Sequence, residues 1–583
     1  MEEINQNSSK AHKANEAFKT RMNRQAILSF GVCVHCGMCT ESCHYYLSLK
    51  DPKMAPAYKA DRVRKLYKKY FDWTGKLLPK WVGGAELESE DDLKELMDIT
   101  FGSCTMCRRC SFNCPMGVDK ALLIRTGRSI LFEQGIAPQG VIDVAKDQWE
   151  TGNQMGISDE EYLETIEWLN EELQMELDDP KAEIPMDRPN CNIVYAVNPR
   201  EIKYAPQSLL AAAKIFYAAG ESWTMSSKGW DNTNFGLFAG DNKLGAHMGN
   251  LVFDSVERLN GKMLVTSECG HGYRATAWES PNWTARDLKF PIYNFLEIMV
   301  NYVKSGRIKL DPALNPFKVT YHDPCNLGRS GGITEEPRYL LRQSVSMFQE
   351  MYPNRADNYC CTGGGGAMSM SEYSKRRLET AVIKANQLKE TQADIVVTAC
   401  HNCVDGLTDL IKHYKLKMKV KLVGELVADA LIIDKKFITP TFKPVELEEK
   451  LILMIDDEVD ILTYLSTLFN DNGYKTFTST NYENAMEFLR NQKPDLITLD
   501  LAMPGKNGLS IYKELKTNDN FKDIPVIFVT GVNPDNPGQL DHRKFIYEHS
   551  LPKPEGYIEK PVEKDLLLKI VRKCVEINVD NFN

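Results

Sequence analysis

Two cysteine runs set the terms for this chain. Cys33, Cys36, Cys39 and Cys43 stand as C-x2-C-x2-C-x3-C, and Cys104, Cys107, Cys110 and Cys114 repeat the spacing with Pro115 directly after. In such a run three thiolates wrap one four-iron cubane and the fourth crosses to a second. The spacing therefore predicts Cys33, Cys36, Cys39 and Cys114 on one [4Fe-4S] cluster, and Cys104, Cys107, Cys110 and Cys43 on the other. Zinc ribbons fit two such runs poorly. Between and after the runs, DRVRKLYKKYFDW and KALLIRTGRSILFEQG read as helices by their apolar spacing. Arg108 and Arg109 lie between ligands, where they either tune a cluster, dock an acidic partner or form a solvated face.

Five more cysteines gather further on. Cys325 closes YHDPC, Cys360 and Cys361 are adjacent in NYCCTGGGG, and Cys400 and Cys403 end VVTACHNC. Each follows a strand-like stretch, and five thiolates at one point suit an iron–sulfur cluster better than zinc, which takes four. The glycines Gly363 to Gly366 are followed by no Lys-Ser/Thr, so they are not a phosphate loop. Close approach of backbone amides to sulfur is their expected use. His322 and His401 flank the ligands as candidate proton donors, or as ordinary hydrogen-bonded residues.

Residues 189–312 read as a worn copy of 313–437. NIVYAVNP parallels KVTYHDPC, KMLVTSECGHG parallels DIVVTACHNC, and IYNFLEIMVNYVKSGRIKL parallels VKLVGELVADALIIDKK. The first copy keeps only Cys269, with His271 beside it; the pair serves either as acid, thiol or ligand toward the surviving cysteines, or as a buried remnant. Cys191 precedes its strand and reads as core.

The 583 residues, 43% hydrophobic and 26% charged, suit three or four domains, and a net charge of −9 argues against nucleic acid as partner. The polar N-terminus has no secretory core, and no apolar run approaches a membrane span, so the expectation is no direct membrane insertion. Sixteen cysteines in an unsecreted chain point to metal ligation rather than disulfides. The expected order is a polar segment 1–25, an α-helical dicluster domain 26–135, a helical connection 136–188 with a Ser158-x-x-Glu161 cap, an α/β domain 189–437, a linker 438–449 and a last domain 450–578.

The segment from Phe317 to about Lys436 resembles the cysteine-rich CCG domain of heterodisulfide reductase catalytic subunits. That resemblance implies Cys325, Cys360, Cys361, Cys400 and Cys403 as ligands of a non-cubane four-iron cluster at which a disulfide is cleaved. The cubane-binding part resembles the α-helical dicluster ferredoxin domain that accompanies CCG domains, with His44 standing where a proline usually follows. CVHCGMCTESCHYYL, SECGHGYRA, HDPCN and CCTGGGGAM together resemble iron–sulfur subunits of the membrane redox complex associated with dissimilatory sulfite reduction. Such subunits are cytoplasmic, carry no flavin of their own, and pass electrons between a membrane cytochrome and a thiol or disulfide couple.

The last domain resembles a response-regulator receiver, a doubly wound (flavodoxin-like) α/β unit. The resemblance implies Asp456, Asp457 and Asp500 around Mg²⁺, Asp500 as phosphoacceptor for a histidine kinase, Thr530 and Lys560 on the phosphate, and Tyr557 as the aromatic switch. The expected fold is thus α/β multidomain: helical dicluster domain, two-half CCG domain, receiver. The leading functional expectation is an oxidoreductase subunit acting on a disulfide or thiols. An electron conduit to a flavoprotein or membrane cytochrome, and a redox-sensing signalling protein, are the alternatives.

Overall fold

The computed structural model describes residues 2–433, 450–504, 506–531, 542–549 and 551–576. The expected linker at 438–449 and part of the long segment between Thr530 and Lys560 lie outside the described residues. The chain divides into two compact units, Met1–Phe442 and Lys443–Asn583.

The first unit begins with helices that shape loops around the cysteine runs. Helix Glu2–Thr20 buries Ala11, Ala14 and Phe18 against Phe30, Val63, Leu66 and Ile130, so the polar first segment belongs to the core of this domain. Helix Pro56–Tyr70 buries Ala60, Val63 and Leu66 at the spacing of one helical face, and helix Lys120–Phe132 packs against it. Helix Asp159–Leu177 is capped by the Ser158 hydroxyl, which accepts from the Glu161 N–H at 3.1 Å. Its buried Tyr162 stacks on Trp230 with ring centroids 4.4 Å apart, so this acidic helix joins the α/β core by one face and leaves its carboxylates outside.

The α/β part has two sheets of identical plan. The first holds β1 (Ile193–Ala196), β2 (Trp223–Thr224), β3 (Met263–Thr266) and β4 (Ile292–Asn294) in the order β2-β1-β3-β4. The second holds β5 (Lys318–Tyr321), β6 (Met347–Phe348), β7 (Ile395–Thr398) and β8 (Lys419–Leu422) in the order β6-β5-β7-β8. Every pairing is parallel, so the chain crosses over through helices and the loops leaving the strand ends gather at one edge. Equivalent strands make equivalent exits: Cys269 follows β3 and caps helix Gly270–Tyr273, while Cys400 follows β7 and caps helix His401–His413.

The second unit is one parallel sheet of β9 (Leu451–Ile455), β10 (Lys475–Ser479), β11 (Leu496–Leu499), β12 (Val526–Thr530) and β13 (Gly556–Glu559). Its order β10-β9-β11-β12-β13 is the doubly wound one.

The cysteine-rich helical domain meets the second α/β half along a tight seam. Arg128, fully buried, gives all its donor groups to backbone carbonyls: Nε to Thr100 (2.8 Å), Nη1 to Phe238 (3.0 Å) and Gly365 (2.6 Å), Nη2 to Cys104 (2.7 Å). Gly365 sits at φ +66°, and a Cβ there would lie 2.5 Å from the Thr105 carbonyl oxygen. The expected use of the glycine run is thereby revised: Gly363 and Gly365 admit the Asn402 and Thr105 carbonyls, and the amide that reaches sulfur is that of Thr362, 3.2 Å from Cys360 Sγ. Gly365→Ala is expected to destabilise the full chain by about 1–3 kcal/mol through overpacking and a left-handed backbone. Gly364→Ala, whose Cβ meets Thr105 only at 3.6 Å, should be near neutral, and equal melting temperatures for the two variants would contradict this account of the seam.

Candidate functional site

The cysteines form three groups. Cys33, Cys36, Cys39 and Cys114 line one hollow with Pro115, Val118 and Lys120, so the last cysteine of the second run stands with the first run. Lys120 donates to Cys114 Sγ at 3.4 Å. In the second group burial drives the Cys110 thiol up, as do the nearby charges of Cys43, Cys107 and Cys104, so the last cysteine of the first run stands with the second. Lys59 donates to the Ser103 carbonyl at 2.5 Å with Cys43 Sγ 3.7 Å away, and the Met106 N–H lies 3.4 Å from Cys104 Sγ.

The third group adjoins the second. Ligand atoms of His44, Cys107 and Cys360 lie within 4.8 Å of one another, and Thr105 Oγ1 is 3.3 Å from Cys360 Sγ. Cys361 and Cys403 are 3.2 Å apart, with His322 in the same 4.8 Å cluster. Cys325 faces Cys360, and Cys269 faces Cys400 from the first half, so the lone thiol of the worn copy does look onto the surviving cysteines. Among these residues Cys325 alone is partly exposed; Cys360, Cys361, Cys400, Cys403 and Cys269 are buried.

Hydrogen bonds between thiols make some sulfurs more acidic than others. Cys361 is held well below the ordinary thiol range by bonds from Cys360 and Cys403, then His322; Cys400 by Cys269 and Cys403; Cys107 by Cys360, then His44. The N–H of Asn234 donates to His271 Nε2 at 3.0 Å, so the ring hydrogen sits on Nδ1, 3.6 Å from Cys269 Sγ. Burial lowers His271 to about 4, so it is neutral. His401, expected as a proton donor, instead places Nε2 3.3 Å from Glu201 Oε1.

Other expected residues are taken up structurally. Arg108 pairs with Asp119 at 2.7 Å, and Arg109 donates to the Asp357 carbonyl at 2.8 Å and covers the Tyr359 ring, so neither is a free docking charge. What sequence reading missed are the buried cations. Lys59, Lys120 and Lys384 are 2%, 3% and 1% exposed, and none has a carboxylate partner among the described residues. Lys384 donates to Asn358 Oδ1 (2.7 Å) and Gln387 Oε1; burial lowers it to about 7, against the pull of Cys361, Asp323 and Cys360. A buried ammonium without an anion is costly, so one beside each sulfur group fits centres of net negative charge. Three groups holding thirteen thiols in all, with amide donors and one buried lysine to each group, suit iron–sulfur clusters.

In the second unit Asp456 and Asp457 leave β9, Asp500 leaves β11, and Lys560 follows β13. Ligand oxygens of the three aspartates lie within 4.8 Å of one another. Lys560 Nζ reaches Asp456 at 2.9 Å, Asp500 at 3.1 Å and Glu458 at 2.7 Å. Thr530 ends the neighbouring β12, and Tyr557 on β13 stacks on His542. Gly508 lies against the Asp500 backbone, where a Cβ would come within 2.0 Å of its carbonyl.

Comparison with known proteins matches this division. Residues 29–118 match the 4Fe-4S dicluster domain, 319–407 the cysteine-rich CCG domain, and 452–572 the response regulator receiver domain. The chain is 27% identical over 463 residues to an "Hdr-like menaquinol oxidoreductase iron-sulfur subunit" of Archaeoglobus profundus, covering 72% of this chain and 81% of that one. It is also 27% identical over 410 residues to one of the subunits of the dihydromethanophenazine:CoB--CoM heterodisulfide reductase of Methanosarcina barkeri, 70% of this chain and 95% of that one. An "EtfAB:quinone oxidoreductase" of Syntrophomonas wolfei is 25% identical over 68% of this chain and 57% of its own. The chain thus carries a 4Fe-4S dicluster domain, a CCG domain and a receiver domain, and its relatives are Hdr-like iron–sulfur subunits. Its dicluster and CCG domains supply the three cysteine groups, and its receiver supplies the acidic one.

No helix among the described residues is long and apolar enough to cross a membrane. In its receiver, Lys560→Met removes the cation shared by Asp456, Asp500 and Glu458. Burial raises Asp456, so its carboxyl takes up a proton earlier than an exposed one as pH falls. The variant should therefore melt lower at pH 7, and the difference should shrink as pH falls through the carboxylate range. A pH-independent difference would contradict the role assigned to Lys560.

Proposed function

We propose that this protein passes electrons through two cubanes, held by Cys33, Cys36, Cys39 and Cys114 and by Cys104, Cys107, Cys110 and Cys43, to a non-cubane four-iron centre held by Cys325, Cys360, Cys361, Cys400 and Cys403. Such a centre would supply the one-electron chemistry by which a disulfide would take up two electrons and two protons to give two thiols, or two thiols would give them up. The observation that carries this reading is the approach of Cys107 to Cys360, which sets the cubane side and the CCG side in contact. Clusters bound there supply electrons one at a time. The chain's own residues do the rest: burial of Cys360, Cys361, Cys400 and Cys403 excludes water, partly exposed Cys325 marks the side from which a substrate sulfur approaches, and His322 holds a proton beside Cys361. Cys269, buried beside Cys400 with the His271 N–H behind it, borders the same site as a further thiol.

The names of the relatives support a place in a quinone- or disulfide-linked redox assembly; in the proposed arrangement a membrane cytochrome or flavoprotein is the electron partner and the chain is peripheral on the cytoplasmic side. In the receiver, Asp456, Asp457 and Asp500 would hold Mg²⁺, and Asp500 would accept a phosphoryl group from a histidine kinase with Lys560 and Thr530 on the phosphate. Phosphorylation would then bias docking or electron flow. A second reading, electron conduit without a substrate of its own, draws on the burial of all but one CCG cysteine.

Cys360→Ala separates these readings. Anaerobic protein should lose the distinct four-iron EPR signal, keep both cubane signals, and lose reduction of a small disulfide by more than about a hundredfold. Unchanged disulfide turnover in that variant would exclude the proposed chemistry.

A further inference from the structure

Lys384 is the buried charge that nothing so far explains. It lies on helix Val382–Thr391, 1% exposed, and its ammonium meets only neutral acceptors: Asn358 Oδ1 at 2.7 Å, Gln387 Oε1 and Met351 Sδ at 3.5 Å. The nearest carboxylate in its surroundings, Asp323, is already committed. Both its oxygens accept from buried Arg338, at 2.7 and 2.9 Å, and one also takes the Arg355 N–H. The sulfurs of Cys361, Cys360 and Cys403 also face Lys384.

The ammonium also dictates how its neighbours are oriented. It can only donate, so Asn358 must turn its oxygen to Lys384 and its NH2 the other way. That NH2 donates to His322 Nδ1 at 3.2 Å. His322 must then carry its hydrogen on Nε2, toward the Cys361 and Cys403 pair.

We propose that Lys384 is a positioning residue for the CCG centre: its ammonium is the buried counter-charge of that centre, and through Asn358 it fixes the His322 N–H toward Cys361. This rests on the reading that the five CCG cysteines hold a redox cluster. A fixed cation favours the reduced, more negative state, and removing it lowers the midpoint potential. A lysine that merely braced the loop would alter stability and leave the potential alone.

The test is an anaerobic redox titration of the full chain followed by EPR, on the unmodified protein, Lys384→Met and Gln387→Glu. Gln387→Glu keeps the lysine and sets a carboxylate against it. In both variants the one-electron equilibrium constant of the CCG centre should fall at least tenfold, 59 mV, with smaller shifts at the two cubanes. An unchanged CCG midpoint in Gln387→Glu overturns the proposal whatever Lys384→Met does. Loss of the CCG irons from Gln387→Glu with both cubanes kept also counts against it, because loop geometry rather than charge would then be the controlling factor. Absence of a distinct centre from the unmodified chain would instead remove the cluster reading on which the proposal stands.

Discussion

Buried ammonium groups set against buried sulfur are the constraint on which the first unit depends. Lys120 stands by Cys114, Lys59 by Cys43, and Lys384 behind Asn358 and His322 at the CCG cysteines. A lysine head taken from water with no partner costs several kcal/mol, more than a domain of ordinary stability tolerates three times over. The sulfur groups must therefore bear compensating negative charge. Iron–sulfur clusters bound there would couple folding to metal binding, since each would make the other's buried charge tolerable.

The same charges explain why the domains close so tightly. Arg128 threads a fourth buried cation between the Cys104 loop, Phe238 and Gly365, and Arg329 reaches from the CCG half to the Cys107 carbonyl and to the Asn358 carbonyl at 2.7 Å. These contacts bring Cys107 to Cys360 and His44 between them. The proline expected after Cys43 would present no N–H donor there; the histidine that replaces it starts a helix and donates into the junction of two sulfur groups. The worn first half keeps the strand plan of the second and contributes one thiol, Cys269, at the position matching Cys400.

Much of this was legible in the chain because cysteine spacing and strand-end chemistry are local. The crossing of Cys43 and Cys114, the doubled β2-β1-β3-β4 plan and the acidic cluster at the receiver strand ends all follow from short stretches. The buried lysines were not legible, because a lysine inside a helical pattern such as Val382–Thr391 reads as a surface residue until its neighbours from distant segments are known. The Glu201 partner of His401 was hidden for the related reason that it comes from the other half. Gly365 was read as serving sulfur, whereas the close neighbour is a carbonyl from a segment some 260 positions away in sequence, Thr105.

In the receiver Lys560 is set against Asp456 and Asp500 at the strand ends. The central claim is that all thirteen cysteines of the dicluster and CCG domains are committed to three anionic iron–sulfur centres. Mössbauer spectroscopy with metal analysis of the anaerobically isolated, ⁵⁷Fe-labelled full chain tests it most directly. The account predicts about twelve irons per chain, divided between two cubanes and one spectroscopically distinct four-iron centre. About eight irons, or zinc at the Cys325–Cys403 group, would contradict it.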